Sequence, residues 1–170
     1  GQRPMYCWRI LQKQIPLEIY GANWSTNKKK KILRPLQVLK DTYFTNIIDT
    51  TYKLLNENIA ELLSNQYGQF LNGAVSDNKY IGLLKNSKGI INLPESRFNH
   101  SFDNPNVLLG ANLRDFEVPM ANGLLFTQRN EEINNFYDED KEVILFSNEH
   151  ELVEKLSFYL KKPKLANVIA

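Results

Sequence analysis

Hydrophobic positions along this chain alternate between two spacings. Short apolar runs, each closed by glycine, proline or polar residues, have the length of buried strands. Between them, apolar residues recur at the spacing of helices. This order predicts an α/β fold with a Rossmann-like parallel sheet flanked by helices. The five predicted strands are Leu17–Gly21, Gln69–Gly73, Gly89–Leu93, Leu124–Gln128 and Val143–Ser147.

Helical spacing is clearest near the carboxyl end of the chain. Asn148 is a favourable helix cap, an apolar stripe runs from Leu152 to Leu160, and Pro163 closes the pattern, which predicts a helix over Asn148–Lys162. Shorter helices are predicted at Pro4–Gln14, Asn78–Asn86 and Leu113–Ala121.

Residues 28–66 interrupt the alternation. Their apolar positions keep helical spacing throughout, which predicts one long helix or a helical hairpin inserted into the α/β pattern. The lysine run at 28–31 is interpreted as a solvated approach to this element. The alternative is a peripheral contact with an anionic membrane surface.

Composition and charge narrow the class of protein. The chain has 170 residues, of which 42% are hydrophobic and 24% charged, as in an ordinary globular domain. A net charge of +2 gives no strong basic field, so nucleic-acid binding is not expected. The single cysteine, Cys7, excludes an internal disulfide framework and suits a reducing compartment. No apolar run is long enough to span a bilayer, so a cytoplasmic protein is predicted, with the inner face of the membrane as a further location.

The chain opens on the predicted helix Pro4–Gln14, although a doubly wound sheet normally begins with a buried strand. We therefore expect residues 1–170 to form a single domain that is the carboxyl-terminal part of a longer protein. No linker divides them.

Several motifs carry little weight. The sequence Asp138-Glu139-Asp140 resembles the Asp-x-Asp pair that binds a divalent metal in some sugar transferases, but it is interpreted as a polar turn before a strand. His100, His150 and Cys7 do not make a zinc site by spacing. Dinucleotide, P-loop and α/β-hydrolase signatures are absent from the sequence.

The most polar segment, residues 95–123, begins at the carboxyl end of the predicted strand Gly89–Leu93. Ligands of open parallel sheets bind at that edge. The candidate binding side chains there are Glu95, Arg97, Asn99, His100, Asn104, Asn106, Asn112, Arg114, Asp115 and Glu117.

The helix predicted at the end of this segment begins with groups suited to a phosphorylated ligand. Gly110 lets the backbone approach closely, and exposed N–H groups of Gly110, Ala111 and Asn112 suit a phosphate. Arg114 can add a bidentate contact to the anion, and Glu117 can accept two hydrogen bonds from a vicinal diol such as ribose. The alternative is an asparagine-rich capped loop with an Arg114–Glu117 ion pair.

These residues belong to a longer pattern that resembles the carboxyl-terminal half of group 1 glycosyltransferases, in the branch similar to spore-maturation protein CgeB. The upstream pieces Ile19–Gly21, Trp24 and Asn72–Val75 also fit. The matching residues in the second half are Asn112, Arg114, Phe116, Glu117, Gly123, Thr127, Glu131, Glu142, Val143, Glu151, Leu152 and Lys155.

The resemblance implies a two-domain GT-B architecture in which this chain is the donor-binding domain. It places the base of a nucleotide sugar near Gly73 and Val75, and the ribose hydroxyls on Glu117. The diphosphate is implied to meet the backbone of residues 110–112, with Arg114 as a helper.

One position departs from the family pattern. Many retaining members carry a glutamate eight positions before the ribose-binding one, where this chain has Leu109. Glu95 or His100 of the preceding loop could substitute, and Arg97 is a further donor-binding candidate. The catalytic candidates are therefore Arg114, Glu117 and His100. Pro119 also differs from the family and is expected to kink its helix.

The implied activity is transfer of a glycosyl group from a nucleoside diphosphate sugar to a glycan or protein acceptor. No cofactor and no obligatory metal are expected, and an amino-terminal GT-B domain would complete the site. The second hypothesis is a catalytically inactive interaction module that binds a partner protein through the helices of residues 28–66. A flavodoxin-like receiver domain would need acidic residues at strand ends, where this chain has Gly21, Gly73 and Leu93.

Overall fold

The computed structural model describes residues 3–21, 58–93 and 110–170, and these form an α/β fold with parallel strands and flanking helices. The predicted fold class is therefore confirmed. The helices are α1 Arg3–Gln12, α2 at 58–67, α3 Asp77–Asn86, α4 Leu113–Met120, α5 Glu149–Leu160 and α6 Pro163–Ile169. The strands are β1 Ile19–Tyr20, β2 Leu71–Asn72, β3 Ile90–Asn92, β4 Leu125–Gln128 and β5 Ile144–Phe146. Each lies inside one of the five strands predicted from the sequence.

Most of the predicted insertion at 28–66 lies outside the described residues, and 58–67 are helical as expected. In the part of the chain that the structure covers, no helix has the length and apolar character needed to cross a bilayer.

The described residues group into two compact units. The first contains residues 3–11, 16–21 and 58–74. Its strands β1 and β2 pair in parallel, with Ile19 opposite Leu71 and Tyr20 opposite Asn72. Helix α1 buries one face, which includes Cys7, and this burial raises the pKa of the thiol to about 12. Cys7 is therefore a protonated, inert thiol on a helix face, as interpreted from the sequence.

The second unit contains residues 12–15, 75–93 and 110–170 and holds the parallel sheet β3–β4–β5. The register places Asn92 opposite Thr127, and Gln128 opposite Phe146. Because all three strands run in the same direction, these four residues lie toward the carboxyl edge of the sheet. This is the edge at which the sequence predicted a ligand site.

Helices cover both faces of this sheet, which explains why its strands read as continuous apolar runs. On one face, Leu125 and Leu145 form a buried cluster with Leu84 of α3 and Val118 of α4. On the other, the ring of Phe126 packs edge-on against Tyr159 of α5, with 6.0 Å between ring centroids. Alternate residues of each strand thus serve the two faces.

Helix α4 contains a proline, and a tyrosine from elsewhere in the second unit compensates for it. Pro119 has no N–H to donate to the Asp115 carbonyl one turn earlier, so that carbonyl lacks its usual helical partner. The hydroxyl of Tyr137 donates to it instead, at 3.0 Å. Residues 113–120 remain a single helix.

The carboxyl end of α4 is closed by a tight turn. Asn122 adopts a left-handed conformation with φ 56°, and the Gly123 N–H donates to the Val118 carbonyl at 2.9 Å. This is the Schellman arrangement. A Cβ on Gly123 would lie 3.0 Å from the Leu84 carbonyl oxygen, so a side chain at this position would crowd the backbone of α3.

Candidate functional site

The candidate site is centred on the first turns of α4, which are anchored to the ends of two strands. Asn92, the last residue of β3, and Thr127, opposite it on β4, both have buried side chains. The Asn92 amide and the Thr127 hydroxyl each donate to Oδ1 of Asp115 at 2.7 Å. The helix start is therefore fixed against the carboxyl edge of the sheet.

A capping box completes this arrangement. Oδ1 of Asn112 accepts from the Arg114 N–H at 3.1 Å and from the Asn92 amide at 3.0 Å. Oδ2 of Asp115 accepts from the Asn112 N–H at 2.9 Å. We call these four residues, Asn92, Asn112, Asp115 and Thr127, the Asp115 network. Asp115 is wholly buried and satisfied by three donors, so its function is to hold α4 in place.

A carboxylate of the chain itself lies at the start of α4. The Ala111 N–H donates to Oε2 of Glu132 at 2.8 Å, and a Cβ added to Gly110 would lie 2.9 Å from the same oxygen. The N–H groups of Ala111 and Asn112, predicted to be exposed, therefore both have carboxylate partners in this structure. The positive end of the helix dipole explains this, because it attracts any nearby anion. Binding of a phosphate at Gly110, Ala111 and Asn112 stays a prediction.

Glu117 lies one turn further along α4 and is half-buried. Its Oε2 accepts a hydrogen bond of 2.6 Å from the hydroxyl of Tyr80 on α3. Among the described residues, Glu117 is bonded to Tyr80 and forms no ion pair with Arg114, so the proposed Arg114–Glu117 pair is not found. Burial and the bond to Glu117 raise the pKa of Tyr80, while the charge of exposed Arg114 lowers it. Tyr80 therefore stays protonated at neutral pH and donates to the carboxylate.

Cations of the chain pair with the acidic turn at 138–140, which was interpreted from the sequence as a solvated polar turn. Arg129 makes a bidentate pair with Glu139, at 2.5 and 2.6 Å, and Lys155 lies 3.0 Å from the same carboxylate. Asp140 accepts from the hydroxyl of Tyr159 at 3.2 Å. The cations hold the pKa of Glu139 down at about 2, mainly through the hydrogen bond from Arg129.

Glu151 and Lys155 of α5 extend this cluster. Oε2 of Glu151 accepts from the Ser147 N–H at 2.8 Å, and Lys155 donates to the Leu145 carbonyl at 2.7 Å. Lys155 and Glu151 are also paired at 3.3 Å. We call Arg129, Glu139, Glu151 and Lys155 the Arg129 network. Two residues on which the family resemblance rests, Glu151 and Lys155, thus have structural roles at the end of β5.

The structure brings five of the predicted site residues together at the start of α4, namely Gly110, Ala111, Asn112, Arg114 and Glu117. Glu95, Arg97 and His100 lie outside the described residues. Gly73 belongs to the first unit, where it is exposed, and Val75 belongs to the second, where it is half-buried. Their predicted roles in donor binding are not tested by this arrangement.

Three residues of the site were missed from the sequence. Asn92 and Glu132 could have been found: Asn92 is a polar residue near the carboxyl end of a predicted strand, and Glu132 follows the next predicted strand at the same sheet edge. Tyr80 gave no such signal, since it is 37 residues from its partner Glu117.

A comparison with families of known proteins matches residues 7–170 to the family described as glycosyl transferase-like. No curated protein and no solved structure matches the chain. The family match spans both units and does not favour the alternative of an inactive interaction module.

Proposed function

This chain belongs to the glycosyl transferase-like family, and from that premise we propose that its second unit binds a nucleoside diphosphate sugar at the start of α4. The bound sugar would be transferred to a glycan or protein acceptor. The finer placement belongs to the same proposal: the chain is the donor-binding domain of a two-domain GT-B enzyme in the CgeB-like branch.

The observation that supports this proposal best is the position of the Glu117 carboxylate. Glu117 lies two residues beyond buried Asp115, which anchors α4 to the carboxyl edge of the parallel sheet, the edge at which ligands of such folds bind. The hydroxyl of Tyr80 occupies only one of the acceptor sites of the Glu117 carboxylate. A carboxylate has about four such sites, so Glu117 retains the capacity to accept both hydroxyls of a ribose.

The diphosphate would lie at the helix start, next to Arg114. The carboxylate of Glu132 accepts a hydrogen bond from the Ala111 N–H there, and this contact of an anionic oxygen supports the placement. Glu132 is an exposed side chain and can return to water when a phosphate replaces it. Arg114, exposed on the same turn, would contribute a charge-assisted hydrogen bond to the phosphate.

The chemistry follows from these contacts. As the bond between the anomeric carbon and the diphosphate oxygen breaks, its electron pair goes to the diphosphate, and negative charge grows on the leaving group. The Ala111 N–H and the Arg114 guanidinium would stabilise that charge without an obligatory metal. The acceptor hydroxyl would attack the anomeric carbon and lose its proton to a base supplied by the amino-terminal domain.

Calorimetric titration tests donor binding. UDP and GDP are titrated into the wild-type chain, into Glu117→Ala, and into Glu154→Ala as a matched control on the exposed face of α5. At least one nucleotide should bind the wild type and the control, and Glu117→Ala should weaken it about tenfold or more, because hydrogen bonds to a charged acceptor are lost. Negligible heats with both nucleotides for all three proteins would contradict the proposal.

A further inference from the structure

The contact between α3 and α4 contains a hydroxyl group whose position bears on the ribose. Tyr80 and Glu117 are 37 residues apart in the sequence, yet the phenol donates to Oε2 at 2.6 Å. Both side chains are half-buried. We infer that Tyr80 is a positioning residue that holds the Glu117 carboxylate in the orientation required to recognise the two hydroxyls of a ribose. This inference rests on the proposed function.

The first argument concerns conformational freedom. A glutamate side chain has several rotatable bonds, and fixing them upon ligand binding has an entropic cost. A charge-assisted hydrogen bond from Tyr80 fixes the carboxylate before the ligand arrives. Because α4 is itself anchored to β3 and β4 by the Asp115 network, backbone and side chain of Glu117 are both held in place.

The second argument concerns selectivity. One oxygen of Glu117, Oε2, is shared with the phenol, whereas Oε1 has no partner among the described residues. A pair of vicinal hydroxyls would therefore be accepted by Oε1 and the remaining lone pair of Oε2. A nucleotide that lacks one hydroxyl would leave one of these acceptor sites unused. Tyr80 thereby contributes to discrimination between ribonucleotides and 2′-deoxyribonucleotides without touching the ligand.

The third argument concerns the protonation state of the phenol. Burial and the adjacent carboxylate raise the pKa of Tyr80 above its ordinary value of 10, and Arg114 only partly opposes them. The hydroxyl therefore acts as a donor throughout the physiological pH range, so the orientation of Glu117 does not depend on pH there.

The test compares ribose discrimination in matched variants of the full chain. UDP and 2′-deoxy-UDP, and the corresponding guanine pair, are titrated into the wild type, Tyr80→Phe and Tyr137→Phe. Tyr137 is the control because it is a second tyrosine whose hydroxyl bonds to α4, at the Asp115 carbonyl and away from Glu117. We expect the wild type and Tyr137→Phe to prefer the ribonucleotide by about tenfold or more. In Tyr80→Phe this preference should fall severalfold, while binding of the deoxynucleotide stays close to that of the wild type.

The outcomes separate the inference from the proposed function. If Tyr80→Phe weakens both nucleotides equally, or retains the preference of the wild type, Tyr80 does not position Glu117 and only this inference is overturned. If the wild type binds none of the nucleotides, the proposed function is overturned and this inference with it.

A second measurement, made on the wild type, tests the inference if the Tyr80→Phe variant does not fold. The carbon-13 resonance of the Tyr80 Cζ atom, observed in the wild type, should move when UDP or GDP binds and should move less with the 2′-deoxy form. This is expected because the ribose hydroxyls share Oε2 with the phenol. Equal movement with both forms overturns the inference.

Discussion

The carboxyl edge of the β3–β4–β5 sheet carries two polar regions that satisfy their charges in different ways. In the Arg129 network, two cations and two carboxylates neutralise one another, and each carboxylate lies within ion-pair distance of both cations. In the Asp115 network, the carboxylate has no cationic partner among the described residues and is satisfied by neutral donors in the interior. Glu117 and Arg114, next to the latter, are left accessible and form no pair with each other. Both regions stabilise the fold, and the second is the one at which we propose that a ligand binds.

The largest expected effect on stability is that of Asp115→Ala in the Asp115 network. The change leaves the Asn92 amide, the Thr127 hydroxyl and the Asn112 N–H without their acceptor in or near the core. We expect the free energy of unfolding to fall by about 3–5 kcal/mol, as for removal of one partner from a buried network. Chemical denaturation measures it. Thr127→Val is the control, because it removes one donor and should cost about 1–2 kcal/mol; equal small losses in both variants would contradict the assignment.

Acid titration probes the Arg129 network. Glu139 has a pKa of about 2 in the folded chain and 4.5 ordinarily, so its ion pairs stabilise the fold above pH 4.5 and this contribution is lost as the pH falls toward 2. Because the Glu139 side chain is 30% exposed, we expect a contribution of only about 1 kcal/mol. The measurement is the free energy of unfolding of wild type and Glu139→Gln between pH 6 and pH 2. The difference between them should shrink on acidification, and a constant difference would refute the assignment.

The smallest effect is expected at the start of α4, where Glu132 accepts a hydrogen bond from the backbone. Glu132→Ala removes the carboxylate that occupies the Ala111 N–H, so a diphosphate no longer competes with it. We expect UDP or GDP to bind a few times more tightly, since surface charge interactions of this kind contribute less than about 1 kcal/mol. Glu131→Ala, the exposed neighbour, should leave the affinity unchanged. Weaker binding to Glu132→Ala would indicate that Glu132 contributes to the site rather than blocking it.

The fold could be predicted in detail where local pattern determines it. Each of the five strands was found from apolar runs bounded by turn residues, and α5 begins after the Asn148 cap, as expected. The strands proved shorter than their apolar runs. Val143 and Leu124, which flank β5 and β4, are buried but lie outside the strands, so burial alone does not mark where a strand ends. The spacing of apolar residues indicates which positions are buried. Whether a residue belongs to a strand depends also on a hydrogen-bonded neighbouring strand.

The candidate site was predictable only in part. The sequence predicted the start of α4 and the sheet edge to which the structure anchors it, but it grouped Asp115 with Glu117 as ligand-binding candidates. The spacing of Asn112 and Asp115 is that of a capping box, and this signal could have assigned Asp115 to the helix cap. The contacts of Tyr80 with Glu117 and of Glu132 with Ala111 join distant segments. Such contacts depend on how helices pack, which local spacing does not encode.

Pro119 and Tyr137 depend on each other, because the tyrosine donates the hydrogen bond that the proline cannot. This dependence constrains the order in which the two residues can be substituted. While position 119 holds proline, loss of the Tyr137 hydroxyl removes the donor that replaces the missing N–H of residue 119 at the Asp115 carbonyl. A residue with its own N–H at 119 would supply that donor and make the tyrosine dispensable. An evolutionary path that replaces both residues is therefore easier if the proline changes first.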